Sequence, residues 1–399
     1  LLPHWLMVSE QTTAESESLA LLNHYAGWYL NEQGDYNKAE NLYQKALSMR
    51  KNLLGSEHIA TATTTTNLST LYFDRSLYQE AEKLCIEALS IRRKLLGDEN
   101  IHVAGSIHNL AECYRLQGRY EEAEPLFEES LDLRKQLLGD EHPDAALSLY
   151  NLAGIYIVQK RYSDAEQLLQ EALMIRSQCL GEGHPDTLST LNNLAECYRH
   201  QGRYSEAEPL FEKALKSYRQ LWGNEHSNVA LCLNNIANCI DEQGRHKDAE
   251  ALFEEAISIS IKFLGEESVA TANYYNNLAG CYRNQNLYNE AESLYEKALI
   301  LHKKALSNYH PSVAVNINNL AEIYCLLGRY SDAEKSYKSV LEIHRRLRQG
   351  KAHPDIVSSL QNLAACFYLQ SRYSEAEALF LEALSCCKQF FGDAHFEVV

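Results

Sequence analysis

The chain has 399 residues, 45% of them hydrophobic and 23% charged, and so carries too much apolar side chain for a disordered polymer; its 7 prolines and 18 glycines leave room for long helices. Fifty-four acidic residues against 37 basic ones give a net charge of −17, which repels phosphate backbones and excludes nucleic acid as an expected partner. No stretch reaches the roughly 18 consecutive apolar residues that a spanning helix needs, so no membrane insertion is expected.

Residues 1–14 read as an N-terminal extension. The segment Leu1-Leu2-Pro3-His4-Trp5-Leu6-Met7-Val8 lacks a basic flank and is interrupted by proline and histidine, which argues against a signal peptide. The chain does not open on methionine, so a fragment with its true N-terminus upstream is expected.

From residue 15 the sequence repeats. Asn-Leu-Ala recurs at Asn109, Asn151, Asn193, Asn277 and Asn319, with variants at Asn67-Leu68-Ser69 and Asn235-Ile236-Ala237. The spacing is 42 residues, slipping to 43 only at Asn362 after an insertion around Gln349-Gly350-Lys351. Ala-Glu keeps the same period from Ala39-Glu40 to Ala376-Glu377 and counts nine units. The first unit is the most divergent, with Tyr25-Ala26-Gly27 where Asn-Leu-Ala should stand.

Each unit predicts two helices. In the third, Val103 to Gln117 carries Ile107, Leu110, Ala111 and Tyr114 at three- and four-residue spacing, and Gly118 supplies a stop. A second helix over Tyr120 to Leu138 aligns Ala123, Phe127, Leu131 and Leu138, and Gly139 ends it. The linker Asp140-Glu141-His142-Pro143 places a proline where the next helix starts. One such pair cannot bury both of its faces, whereas stacked pairs cover each other's apolar stripes. The expected fold is therefore all-α: a solenoid of about nine antiparallel helix pairs. It should run as one domain over 15–392, with 393–399 opening a possible further repeat.

The 11 cysteines include no C-x-x-C pair, and Cys113, Cys197, Cys239 and Cys281 share one slot two residues after the alanine of the motif. That slot reads as small apolar packing in a reducing compartment, and a cytoplasmic location is expected. The linker histidines His58, His142, His184, His226, His310 and His353 lie about one repeat or more apart, and no cysteine or carboxylate recurs at ligand spacing within a unit. They are expected to orient the loop and the following helix N-terminus, with no metal and no cofactor. No nucleophile–base pair stands out, so no enzymatic activity is expected.

Leu194, Ala195, Tyr198, Gly202, Tyr204, Ala207, Phe211 and Ala214 match the tetratricopeptide pattern slot for slot. The longer second helix, ending in Leu-Leu-Gly-x-Glu-His-Pro-Asp, resembles the 42-residue variety of kinesin light chain and of nephrocystin-3-like proteins. The resemblance covers residues 15 to 392. Kinesin light chains have about six such repeats and an upstream heptad coiled coil, whereas this segment has nine repeats and no heptad run.

The resemblance implies that the solenoid is a right-handed superhelix, that first helices line its concave groove and that the recurring asparagine faces it. Asn67, Asn109, Asn151, Asn193, Asn235, Asn277, Asn319 and Asn362 would then form a ladder whose amides bond the backbone of an extended peptide. The alternative is that each asparagine bonds its neighbouring repeats and fixes the stack. Arg115, Arg199 and Arg283 recur six residues after an asparagine and could pair with acidic residues of a ligand. Alternatively, Arg115 and Arg199 are paired within their helices with Glu112 and Glu196.

These residues predict a protein–protein interaction scaffold that holds an extended partner segment in its groove. By resemblance the partner is a cargo adaptor or a kinesin heavy chain complex. Two other readings are a regulatory sensor array within a larger nucleotide-binding signalling protein and a self-associating structural solenoid. No G-x-x-x-x-G-K-[ST] motif occurs in the chain to support the former directly.

Overall fold

A computed structural model describes residues 15–75 and 77–391. The extension at 1–14 and the possible further repeat at 393–399 lie outside the described residues. Among those described there are eighteen α-helices and no strand. In chain order they are α1 (Glu17–Glu32), α2 (Tyr36–Leu54), α3 (Ile59–Asp74), α4 (Tyr78–Leu96), α5 (Ile101–Leu116), α6 (Tyr120–Leu138), α7 (Pro143–Val158), α8 (Tyr162–Leu180) and α9 (Pro185–His200). They continue as α10 (Tyr204–Trp222), α11 (Ser227–Glu242), α12 (His246–Leu264), α13 (Val269–Asn284), α14 (Tyr288–Ala305), α15 (Pro311–Leu326), α16 (Tyr330–Leu347), α17 (Pro354–Leu369) and α18 (Tyr373–Phe391). The architecture is an all-α solenoid of nine helix pairs, odd-numbered helices first and even-numbered second. The chain divides into two compact units between Asn193 and Leu194, and each is described by itself.

In the first unit the repeated alanines Ala39, Ala81, Ala123 and Ala165 are completely buried. A side chain of one carbon lets paired helices approach closely, and four residues on Tyr43, Cys85, Phe127 and Leu169 fill the space beside the crossing. Burying a ring such as that of Phe127 contributes about 2–3 kcal/mol. The second unit repeats the arrangement with Ala207, Ala249, Ala291 and Ala333 and with Phe211, Phe253, Tyr295 and Tyr337.

The glutamate of the Ala-Glu marker has its own partner. Glu82 accepts from Arg119 at 2.8 Å and Glu124 from Arg161 at 2.6 Å, each arginine standing in the turn of the following pair. In the second unit Glu292 and Glu334 receive Arg329 and Arg372, both at 2.6 Å. The guanidinium groups of Arg119 and Arg161 lie 4.1 and 3.8 Å over the rings of Tyr114 and Tyr156. A charge on an aromatic platform thus ties these turns to the pair before them.

Within a pair the turn requires a left-handed residue. Gly118 takes it at φ 74°, and at the same slot Lys160 and Ser371 adopt φ 62° and 60° without glycine's freedom.

Between pairs, the linker histidines act as N-caps. The Nδ1 atoms of His58, His142, His310 and His353 each accept the backbone N–H two residues on at 3.1 Å. His184 and His226 do the same at 3.2 Å. The accepting Nδ1 carries no proton, so these six imidazoles share one tautomer. Proline follows as the first helical residue at Pro143, Pro311 and Pro354.

The sequence-based prediction for the second helix of the third unit coincides with α6, and its first helix starts two residues earlier than expected, at Ile101. No described helix is long and apolar enough to cross a membrane. All eleven cysteines are free thiols.

Candidate peptide-binding face

In each first helix the leucine of the motif is buried and the residue before it turns toward the helix edge. Asn67, Asn109, Asn151, Asn193, Asn277, Asn319 and Asn362 are half-buried there, and Asn235 is buried. Six of these amides join neighbouring repeats. Asn67 and Asn151 donate to Nε2 of His24 and His108 at 3.2 and 3.1 Å. Asn277, Asn319 and Asn362 donate to the side-chain carbonyls of Asn234, Asn276 and Asn318 at 3.0, 3.1 and 2.8 Å. Asn193 hydrogen-bonds the hydroxyl of Tyr150. Every one of these partners stands immediately before the slot of the preceding repeat. Asn234 also donates to Asn235 at 3.2 Å.

Histidine in that partner position must be neutral to accept. Burial, with Arg50 adding to it, lowers the pKa of His24 to about 4. Burial likewise, with Arg134 and Arg115 nearby, lowers that of His108 to about 3.

The three arginines carry internal partners. Arg115 pairs with Glu112 of its own helix at 2.5 Å. Arg199 is buried between Glu196, at 2.6 Å, and Glu242 of the next pair. Burial opposes ionisation of Glu196, but hydrogen bonding to His200 and the charge of Arg199 outweigh it and bring the pKa to about 2. Arg283 reaches Glu322 of the next pair at 2.7 Å.

Sequence reasoning passed over apolar positions on the same stripe. On α15, Val315 and Leu326 lie four residues before and seven after Asn319, and are 51% and 49% exposed. On α11, Leu231 stands in the slot of Val315 and is also exposed. These are i, i+4 and i+11 positions of one helical face.

A row of buried arginines was also missed. In the first unit Arg50, Arg92, Arg134 and Arg176 each reach a hydroxyl fourteen residues on: Thr64 at 2.7 Å, Ser106 at 2.5 Å, Ser148 at 2.9 Å and Thr190 at 2.8 Å. In the second unit the same slot holds Tyr218, Ser260, His302 and His344.

A tetratricopeptide repeat profile matches residues 17–94, 64–136, 102–178, 144–220, 186–262, 228–304, 269–346 and 312–389. The chain belongs to the tetratricopeptide repeat family. Its repeats are similar to the nearly identical TPR-like repeats of a candidate kinesin light chain from Podosopora anserina, with 26% identity, 52% of this chain and 99% of that one covered, and a TM-score of 0.45. BtubC (BKLC) from P. vanneervenii is 24% identical over 57% of this chain and 90% of that one, with a TM-score of 0.49. The apo form of RapI shares the fold at a TM-score of 0.58 and 20% identity, over 71% of this chain and 98% of its own. A search of curated proteins gave no significant match. Tetratricopeptide solenoids are typical of protein–protein interaction scaffolds and are generally non-enzymatic.

Proposed function

We propose that this tetratricopeptide array is a cytoplasmic, non-catalytic scaffold whose first-helix face holds an extended segment of a protein partner. The observation that carries the reading is on α15, where exposed Val315 and Leu326 flank half-buried Asn319 on one stripe. Apolar side chains in water next to a fixed amide row offer anchor sites beside groups that can bond a backbone. The register through Asn67, Asn109, Asn151, Asn193, Asn235, Asn277, Asn319 and Asn362, which slips by one residue only before the last, supports treating 15–392 as one array. Arg115, Arg199 and Arg283 belong to the proposed face, where they would meet acidic flanks of a ligand in competition with their glutamate partners. By likeness to kinesin light chain repeats, the fitting partner is a cargo adaptor segment with an apolar or aromatic anchor.

The test is a peptide array probed with the full chain and with the double variant Val315→Glu, Leu326→Glu. Both side chains are exposed, so melting should stay within about 0.5 kcal/mol of the parent. Extended peptides should bind the parent at least about tenfold more tightly than the variant. Equal binding by both proteins, or no bound peptide at all, would overturn the reading.

A further inference from the structure

Every second helix but one starts with tyrosine: Tyr36, Tyr78, Tyr120, Tyr162, Tyr204, Tyr288, Tyr330 and Tyr373. The exception is His246 on α12. The same repeat carries Asp241 near the end of α11, in a variable slot that holds arginine at Arg199 and Arg283 on either side. Both residues lie beside the cysteine slot of the next first helix, Cys281 on α13. The donor atoms of Asp241, His246 and Cys281 all lie within 4.8 Å of one another, and among the described residues this is the one group of three such side chains so placed.

We propose that Asp241, His246 and Cys281 form a binding site for a borderline divalent cation of the zinc class, joining the sixth repeat to the seventh. Thiolate, imidazole and carboxylate together select zinc or cobalt over magnesium or calcium, which prefer oxygen alone. Three protein donors leave a fourth tetrahedral position for water.

The surroundings supply the supporting shell that such sites need. Asn284 donates to the second oxygen of Asp241 at 2.8 Å and fixes the carboxylate. Gln285 donates to the sulfur of Cys281 at 3.6 Å, where it would stabilise a thiolate. His246 Nδ1 and Asp241 Oδ1 are 2.7 Å apart, a separation held by a shared proton. A cation replacing that proton would spread the donors to about 3.3–3.6 Å, the edge of a tetrahedron with zinc–ligand bonds. Cys281 would bind as the thiolate and release its proton to solvent. His246 is 29% exposed and Asp241 11%, which gives the cation a path from solvent.

The row of linker histidines, by contrast, is spent on N-caps. Cys281 stands in a recurring slot, and the site arises where His246 replaces the recurring tyrosine with Asp241 beside it. The buried cysteines that share the slot of Cys281 in other repeats face a tyrosine where Cys281 faces His246.

The full chain, stripped of metal with a chelator, is titrated with Co2+ alone and then with Zn2+. The expected result is one equivalent of Co2+ bound with a thiolate-to-cobalt charge-transfer band in the near ultraviolet, which Zn2+ abolishes by displacement. His246→Tyr restores the residue found in the eight other repeats and so preserves the fold. It should lose the band and bind at least about tenfold more weakly. Asp241→Asn should weaken binding as well, and Zn2+ should raise the melting temperature of the parent alone. Absence of a thiolate band in the parent, or a band undiminished in His246→Tyr, overturns the proposal.

Discussion

Asn151 donates its side-chain amide to Nε2 of His108, 3.1 Å away and one repeat upstream. The bond requires an unprotonated Nε2, and His108 is buried edge-on against Phe127 at a ring separation of 5.2 Å. An imidazole so enclosed is held neutral.

This arrangement predicts acid sensitivity in the first unit. The folded-state pKa of His108 is lowered from 6.5 to about 3, and that of His24 to about 4. Both contribute in full above pH 6.5, and stability falls as the pH drops from there toward those values, by roughly 1.4 kcal/mol per pH unit for each histidine. Urea midpoints measured between pH 7 and pH 4 should show the decline setting in before ordinary carboxylates titrate. Asn234, Asn276 and Asn318 already do the same job elsewhere, so His108→Asn should lose about 1 kcal/mol at neutral pH and show a shallower acid limb. An unchanged acid limb in that variant would refute the assignment.

Arg134 donates to the carbonyl of Asp144 and the hydroxyl of Ser148, both at 2.9 Å and both in the next pair. Arg134→Met keeps the apolar stem and removes the donors. It should destabilise the protein by roughly 1–3 kcal/mol, read as a lower urea midpoint with unchanged helical circular dichroism. A higher midpoint would mean that burying the charge costs more than its bonds return.

Lys160 holds a left-handed turn conformation that Gly118 and Gly202 adopt at the same slot. Lys160→Gly should raise stability by roughly 0.5–1 kcal/mol, despite the added freedom of the unfolded chain. A drop in melting temperature would show that the lysine side chain contributes more than its backbone strain costs.

The period, the helix pairs, the boundaries of α6 and the place of the linker histidines at helix N-termini were all legible in the sequence, because each rests on contacts a few residues apart or on a motif repeated in phase; that the imidazole itself is the cap was not. The arginine row was not. An arginine in the last third of an amphipathic helix looks solvated, and its hydroxyl partner lies fourteen residues on, beyond a linker that local periodicity does not bridge. The ladder was legible as a pattern but not in its bonding: the asparagines reach side chains one position before their own slot, an offset that depends on how neighbouring helices lie. His246 was overlooked for the opposite reason, since attention to what recurs hides the single unit that departs.

From Arg50 to Thr190 every junction between pairs is made with the same two kinds of group, a guanidinium and a hydroxyl. Any whole block of 42 residues duplicated or deleted within that stretch would leave matching ends, so its gene can gain or lose copies by unequal recombination without breaking a joint. After Tyr218, where serine and histidine take over, each joint is cut to its own pattern and a block is no longer interchangeable with the next.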